Sequence, residues 1–280
     1  MNEPALRISL QAPYANESAN EDACPFPDLP RMATVANPCV YGLRAGDGTR
    51  QFLEALRVQL AVARTGESTQ PRSLLAEDEA TRRILGEILG SGEVVIHCRR
   101  GNDRLAAEES VFPGVWRERL WQQDVLVRDD IVVGPLPPRV LAWAAAPAGR
   151  RGFEMPEPLP EGLMNAPSVL FEILSKARDF QPDSCDIINL TLFPLPPEDA
   201  AFLEKELGFG GLHLVARGYG ECRVRLTAVP RVWWVQYYNS TNQPILNTLE
   251  ITEFPQVALA APEDLDDSGL RLRDTLETLT

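Results

Sequence analysis

Apolar residues recur along this chain in two rhythms, and the rhythms alternate in the same order twice. In residues 49–64, Phe52, Leu53, Leu56, Leu60 and Ala63 step by threes and fours, the spacing of one α-helical face. Thr49 stands where an N-cap would sit. A short extended segment is expected at 72–75. A second helix is predicted over 77–89, with Ala80, Ile84, Leu85 and Ile88 on one face. Its acids Glu77, Asp78 and Glu79 lie at the end the helix dipole favours, and Gly90 stops it. Strand-like runs follow at 93–99, weakly at 106–111, then at 115–122 and 125–133. The order then restarts. Pro167 sits inside the start of a helix running to 178, with Leu170, Ile173, Leu174 and Ala177 on one face. Residues 185–192 read as a buried strand. Pro196-Pro197-Glu198-Asp199 opens a helix that ends at Gly208, and four strands are expected at 211–217, 221–229, 232–238 and 245–253.

Short motifs recur with the elements. Pro113-Gly114-Val115-Trp116 returns as Pro230-Arg231-Val232-Trp233, 117 residues later. Leu89-Gly90-Ser91-Gly92 corresponds to Leu207-Gly208-Phe209-Gly210, and Pro138-Arg139-Val140 to Pro255-Gln256-Val257. The fold class expected is α+β: two similar repeats, each helix-strand-helix followed by an antiparallel β-meander. The domain plan is an irregular arm at 1–45, a first repeat at 46–143, a Pro/Gly-rich linker at 144–166, a second repeat at 167–260 and an acidic tail at 261–280. Residues in both copies read as architecture, foremost Trp116 and Trp233. Residues in one copy alone are candidates for function.

Composition narrows the function classes. A net charge of −13 repels a phosphate backbone, so no nucleic-acid partner is expected. No run approaches the ~20 apolar residues of a membrane span, and no secretory signal is read at the N-terminus, so no membrane insertion is expected. The five cysteines (Cys24, Cys39, Cys98, Cys185 and Cys222) are odd in number and show no C-x-x-C pair, which fits a reducing, cytoplasmic setting.

Catalytic constellations are not legible. His97 and Cys98 are adjacent in a strand and point to opposite faces. If Arg217 pairs with Glu221 across the Gly218-Tyr219-Gly220 turn, His213 faces Arg225 and Cys222 faces Ala216. That offset of three residues is ~10 Å along the strand, whereas a nucleophile–base dyad needs ~3 Å. Both histidines therefore read as structural. Metal-ligand spacings and Gly-rich phosphate loops are missing, so no cofactor and no metal are expected. Asp129-Asp130 reads as a turn and Glu198-Asp199 as a helix start. The chain is expected not to be an enzyme.

The second copy holds what is distinctive. On strand 232–238, Val232, Trp234, Gln236 and Tyr238 share one face, and Trp233, Val235 and Tyr237 share the other. Both are apolar, so the strand is either covered on both sides or presents an aromatic patch. Tyr219, Cys222, Arg223, Trp234, Gln236, Tyr238 and Asn239 are the candidate partner-binding residues.

These residues carry a resemblance. Gly218-Tyr219-Gly220-Glu221-Cys222-Arg223, the run from Val232 to Ser240, and Ile245-Leu246-Asn247-Thr248-Leu249-Glu250 resemble the C-terminal region of the hydrogenase expression/formation family known as HupH or HyaF, HoxQ in some operons. Phe112-Pro113-Gly114-Val115-Trp116 resembles the family's weaker first copy, and Arg117-Glu118-Arg119 departs from its hydrophobic continuation. The resemblance covers about residues 45–260. It implies an accessory, chaperone-like protein in the maturation of an uptake [NiFe] hydrogenase. Its partner would be the iron–sulfur small-subunit precursor before twin-arginine export, with a thioredoxin-like hydrogenase accessory protein as co-worker. The alternative is an iron–sulfur or metal carrier using Cys222.

Overall fold

The structure is a computed structural model that describes residues 45–146, 154–218 and 220–279. Cys24, Cys39, Tyr219 and most of the expected arm lie outside the described residues. The helical rhythms become α1 (Asp47–Arg64), α2 (Glu79–Leu89), α4 (Ala166–Arg178) and α5 (Pro197–Leu207). Two further helices form, α3 (Pro138–Ala145) and α6 (Pro262–Thr278). The strands of the first half are β1 (Arg72–Ser73), β2 (Val94–Arg100), β3 (Asp103–Glu109), β4 (Val115–Gln122) and β5 (Val125–Val133). Those of the second are β6 (Asp186–Asn189), β7 (Leu212–Arg217), β8 (Glu221–Leu226), β9 (Val232–Tyr238) and β10 (Pro244–Ile251).

All ten strands enter one antiparallel sheet in the order β1-β5-β4-β3-β2-β7-β8-β9-β10-β6. The halves meet at β2 and β7, paired from Val94↔Ala216 to Cys98↔Leu212. The register of β7 and β8 is the expected one: Arg217 lies opposite Glu221, His213 opposite Arg225 and Ala216 opposite Cys222.

Each sheet face has its own cover. On the front face, Phe52, Leu56, Leu85 and Ile88 of α1 and α2, with Leu265 and Leu272 of α6, bury Val115, Ile131 and Val133 of β4 and β5. At the far end Leu170, Ile173 and Leu203 of α4 and α5 bury Val232, Trp234, Leu249 and Ile251 of β9 and β10. Both of these clusters leave out β2, β3, β7 and β8. On the back face one continuous core runs through Ile96, Leu105, Trp116, Leu214, Val224, Trp233 and Val235, closed by Val140 of α3 and Ala258 of a 3-10 turn.

The same hydrogen bonds close the turns of both halves. Gly90 and Gly208 stop α2 and α5 with positive φ, donating to Gly86 and Glu204 carbonyls. The Ser110 hydroxyl bonds the Phe112 carbonyl and accepts the Phe112 amide, as Thr227 does with Val229. Trp116 and Trp233 are fully buried, and their indole N–H groups donate at 3.0 Å to the Gly134 and Thr252 carbonyls. Asp199, fully buried at the start of α5, accepts the Met164, Asn165 and Ala166 amides and so caps α4.

Four expectations are corrected. Residues 261–280 are not a tail: α6 buries Leu265, Ser268, Leu272 and Thr275, and its acids had hidden a seven-residue apolar repeat. Thr49 is buried inside α1, whose N-cap is Gly46. Residues 185–192 form an edge strand and a 3-10 turn, with Ile187 exposed. Asp129-Asp130 is a buried strand segment, not a turn: Asp129 takes the Arg117 guanidinium in two bonds of 2.7 and 2.8 Å, and Asp130 meets Arg139 of α3 at 3.2 Å.

Glu109, at the end of β3, is buried, and desolvation pushes its carboxyl up to about 7 despite the bond it accepts from the Gly114 amide. The folded pKa lies above the unfolded one. Its contribution to stability is therefore full below the ordinary carboxylate range and lost as pH rises through about 7. Thermal melts from about pH 5 to about pH 8 should show Glu109→Gln gaining on the parent as pH rises. A pH-independent difference between the two would contradict the assignment.

Candidate partner-binding face

Strand alternation sends the candidate residues to different places. Cys222 points into the back core, buried, with Tyr237 bonded to its sulfur. Desolvation pushes its thiol up to about 12. Cys98 is buried on the same face and shifted upward for the same reason. Among the described residues no three His, Cys, Asp or Glu side chains gather as metal ligands. Trp234, a candidate partner-binding residue, is 3% exposed, with its indole N–H on Asn247 Oδ1 at 2.6 Å. It is core because α4 and α5 cover this end of β9. Asn239 organises its own loop: its Oδ1 accepts the Thr241 and Gln243 amides.

Arg223, Gln236 and Tyr238 stay together. Arg223 on β8 lies opposite Gln236 on β9, and its guanidinium stacks over the Tyr238 ring at 4.2 Å. It also pairs with Glu221 at 2.5 Å and donates to Asn242 Oδ1 at 2.9 Å. Tyr238 donates its hydroxyl to Gln236 Oε1 at 3.3 Å. All three are half-buried, at the end of β9 that the helices do not reach.

The register extends this group across the sheet. Because directly paired residues share a face, the front row runs Arg119, Ala106, His97, His213, Arg225, Trp234. The next row runs Arg117, Glu108, Val95, Val215, Arg223, Gln236. Arg119 pairs with Glu108, Arg217 with Glu221 at 3.3 Å, and Arg104 with Asp124 at 3.0 Å. Arg104 and Arg119 flank the Trp121 ring at 5.4 and 5.5 Å, and Arg225 lies 3.9 Å over Phe209. His97 and His213 stack at 5.3 Å where the halves meet. Desolvation lowers both imidazoles, His213 to about 4, so both are neutral at pH 7. The first-half members, Arg104, Arg117, Arg119 and Trp121, are absent from the sequence-derived candidates. Their signal was period-two charge on strands, visible only once register is known.

The face is thus built of guanidiniums laid on aromatic rings. The chain's relatives are hydrogenase expression/formation proteins. Residues 163–279 match the conserved C-terminal region of the HupH hydrogenase expression protein. The chain is 39% identical to the hydrogenase expression/formation protein HoxQ of Cupriavidus necator, over 99% of this chain and 98% of that one. It is 43% identical to HupH of Rhodobacter capsulatus, over 72% and 71% of the two chains. It is 34% identical to the hydrogenase-1 operon protein HyaF of Escherichia coli, over 71% and 69%. The chain belongs to the HupH/HoxQ/HyaF family of hydrogenase expression/formation proteins. Among the described residues no helix is long and apolar enough to cross a membrane.

Thiol labelling separates buried from open cysteines. Under native conditions Cys185, which is exposed, should alkylate before Cys98 and Cys222, as read by site-mapping mass spectrometry. Labelling of Cys222 at the rate of Cys185 would contradict its burial.

Proposed function

We propose that this protein is a cytoplasmic, non-enzymatic accessory factor that holds the iron–sulfur small-subunit precursor of an uptake [NiFe] hydrogenase before twin-arginine export. The observation that carries the reading is similarity along nearly the whole chain to a hydrogenase expression/formation protein. The front face supports it, since stacked Arg and aromatic side chains are typical anchors of protein interfaces. A thioredoxin-like accessory protein is proposed as co-worker. The shared turn bonds of the two halves support reading them as sibling modules, with Arg223, Gln236 and Tyr238 of the second as part of the docking surface.

Co-purification with tagged small-subunit precursor tests this. The Arg223→Ala/Tyr238→Ala variant should weaken capture by about tenfold or more, equivalent to about 1.4 kcal/mol. Circular dichroism should report an intact fold, because both side chains are half-buried outside the core clusters. Parent protein that fails to capture the precursor would refute the function. Capture unaffected by the variant would refute the surface.

A further inference from the structure

The two helix layers rest on the outer strands, and between them the front of β3, β2, β7 and β8 carries no packed helix among the described residues. From β4 to β9 there are five strand spacings, about 24 Å. A helix layer is about 10 Å wide, so the strip between the layers is a furrow open to an extended segment lying along the strands. Its floor is apolar only at small places: Ala106, Val95 and Val215. Everything around them is charged or aromatic.

The sign of that charge is unusual for this chain. The chain carries 25 Arg and only 2 Lys against 40 acids. Seven of those arginines project from strands β2, β3, β4, β7 and β8 onto this face: Arg99 and Arg104, Arg117 and Arg119, Arg217, Arg223 and Arg225. Six carboxylates lie among them: Glu108, Asp129 and Glu221 within the strands, Glu93 just before β2, and Asp124 and Glu204 at the rim. On this face of an acidic molecule the guanidiniums therefore outnumber the carboxylates by one. Each guanidinium has five N–H donors, and a carboxylate takes two. The paired arginines keep donors to offer. Their side chains remain 28% exposed at Arg119, 42% at Arg223 and 45% at Arg104. Stacking on Trp121 and Tyr238 restricts the planes, which lowers the ordering cost of a second, forked bond to a carboxylate.

We propose that this furrow is a peptide site that takes an extended, carboxylate-bearing segment of a partner protein. The strands are six to eight residues long, so a segment of about eight residues spans the floor at ~3.3 Å per residue. Acidic side chains at alternate positions face the floor between Arg119 on one bank of the His97–His213 stack and Arg223 on the other, and the intervening residues face away. The inference rests on the accessory reading only for the partner's name. The net charge of −13 favours a peptide over a nucleic acid, whose continuous phosphates meet the acidic surroundings as well.

Fluorescence anisotropy with the full chain tests it. The probe is a labelled peptide of about eight residues alternating Glu and Leu, matched to the strand length, with an otherwise identical Gln/Leu peptide as control. The Glu peptide should bind, and the Gln peptide should bind at least about tenfold more weakly. Arg119→Gln/Arg223→Gln should weaken the Glu peptide by about tenfold or more. Arg83→Gln, on the exposed side of α2, should leave it unchanged. If the double variant unfolds, Arg99→Gln/Arg104→Gln, at the exposed ends of β2 and β3, takes its place with the same expectation. Equal binding of the two peptides, or binding indifferent to both double variants, overturns the proposal. So does a single-stranded oligonucleotide of equal charge that binds as tightly as the Glu peptide. Peptide binding without capture of the hydrogenase precursor would refute the accessory reading and leave the peptide site standing.

Discussion

One antiparallel seam makes this molecule a single sheet. Along it β2 pairs with β7 over Val94↔Ala216 to Cys98↔Leu212. Every other neighbour in the sheet belongs to its own half of the chain. The seam joins the two back surfaces into one core, so that Trp116 and Trp233, from different halves, sit in the same cluster. It also sets His97 against His213 and aligns the arginine rows of both halves. Without it there are two five-stranded sheets, each with an open edge.

The two faces divide the work. The back is continuous and dry, sealed by α3 and the 3-10 turn at Gln256–Ala258. It also buries Glu118 and Asp130 against Arg139, a group that is costly to bury and costly to break apart. The front is discontinuous. Its helices bury the outer strands and leave the inner four to charged and aromatic side chains. The proposed recognition surface is thereby separate from the residues that hold the fold.

Much of the fold was legible from periodicity. Strands β4, β5 and β9 begin and end where the sequence placed them, because their β-branched and aromatic runs are bounded by turn residues. Helix α6 was missed because its six acids, Glu263, Asp264, Asp266, Asp267, Asp274 and Glu277, outnumber its four leucines. Only the spacing of Leu265, Leu272 and Leu279 marks the buried side. Helix α3 is short and sits in a run of Ala and Pro with no polar face to set a rhythm. The candidate face was half legible. Arg223, Gln236 and Tyr238 stood out because they lie in the distinctive runs of the second half, residues 218–223 and 232–240. Trp234 stood out by belonging to the second copy alone and is core, since a strand's sequence does not record where a covering helix ends. The first-half arginines could not be found at all, because their grouping depends on a strand pairing between residues more than a hundred positions apart.

That distance has a kinetic meaning. Within each half the meander closes through hairpins, whose ends meet at little loop-closure cost. The seam brings together strands more than a hundred residues apart, farther than the β1–β5 and β6–β10 pairs, and non-local pairing of this kind is the slow part of assembling a β-rich chain. Until it forms, each half presents a bare strand edge, with Ile96 and Leu214 at its centre, to whatever other chain is nearby. The molecule's most vulnerable moment is therefore the interval between finishing its parts and zipping them together.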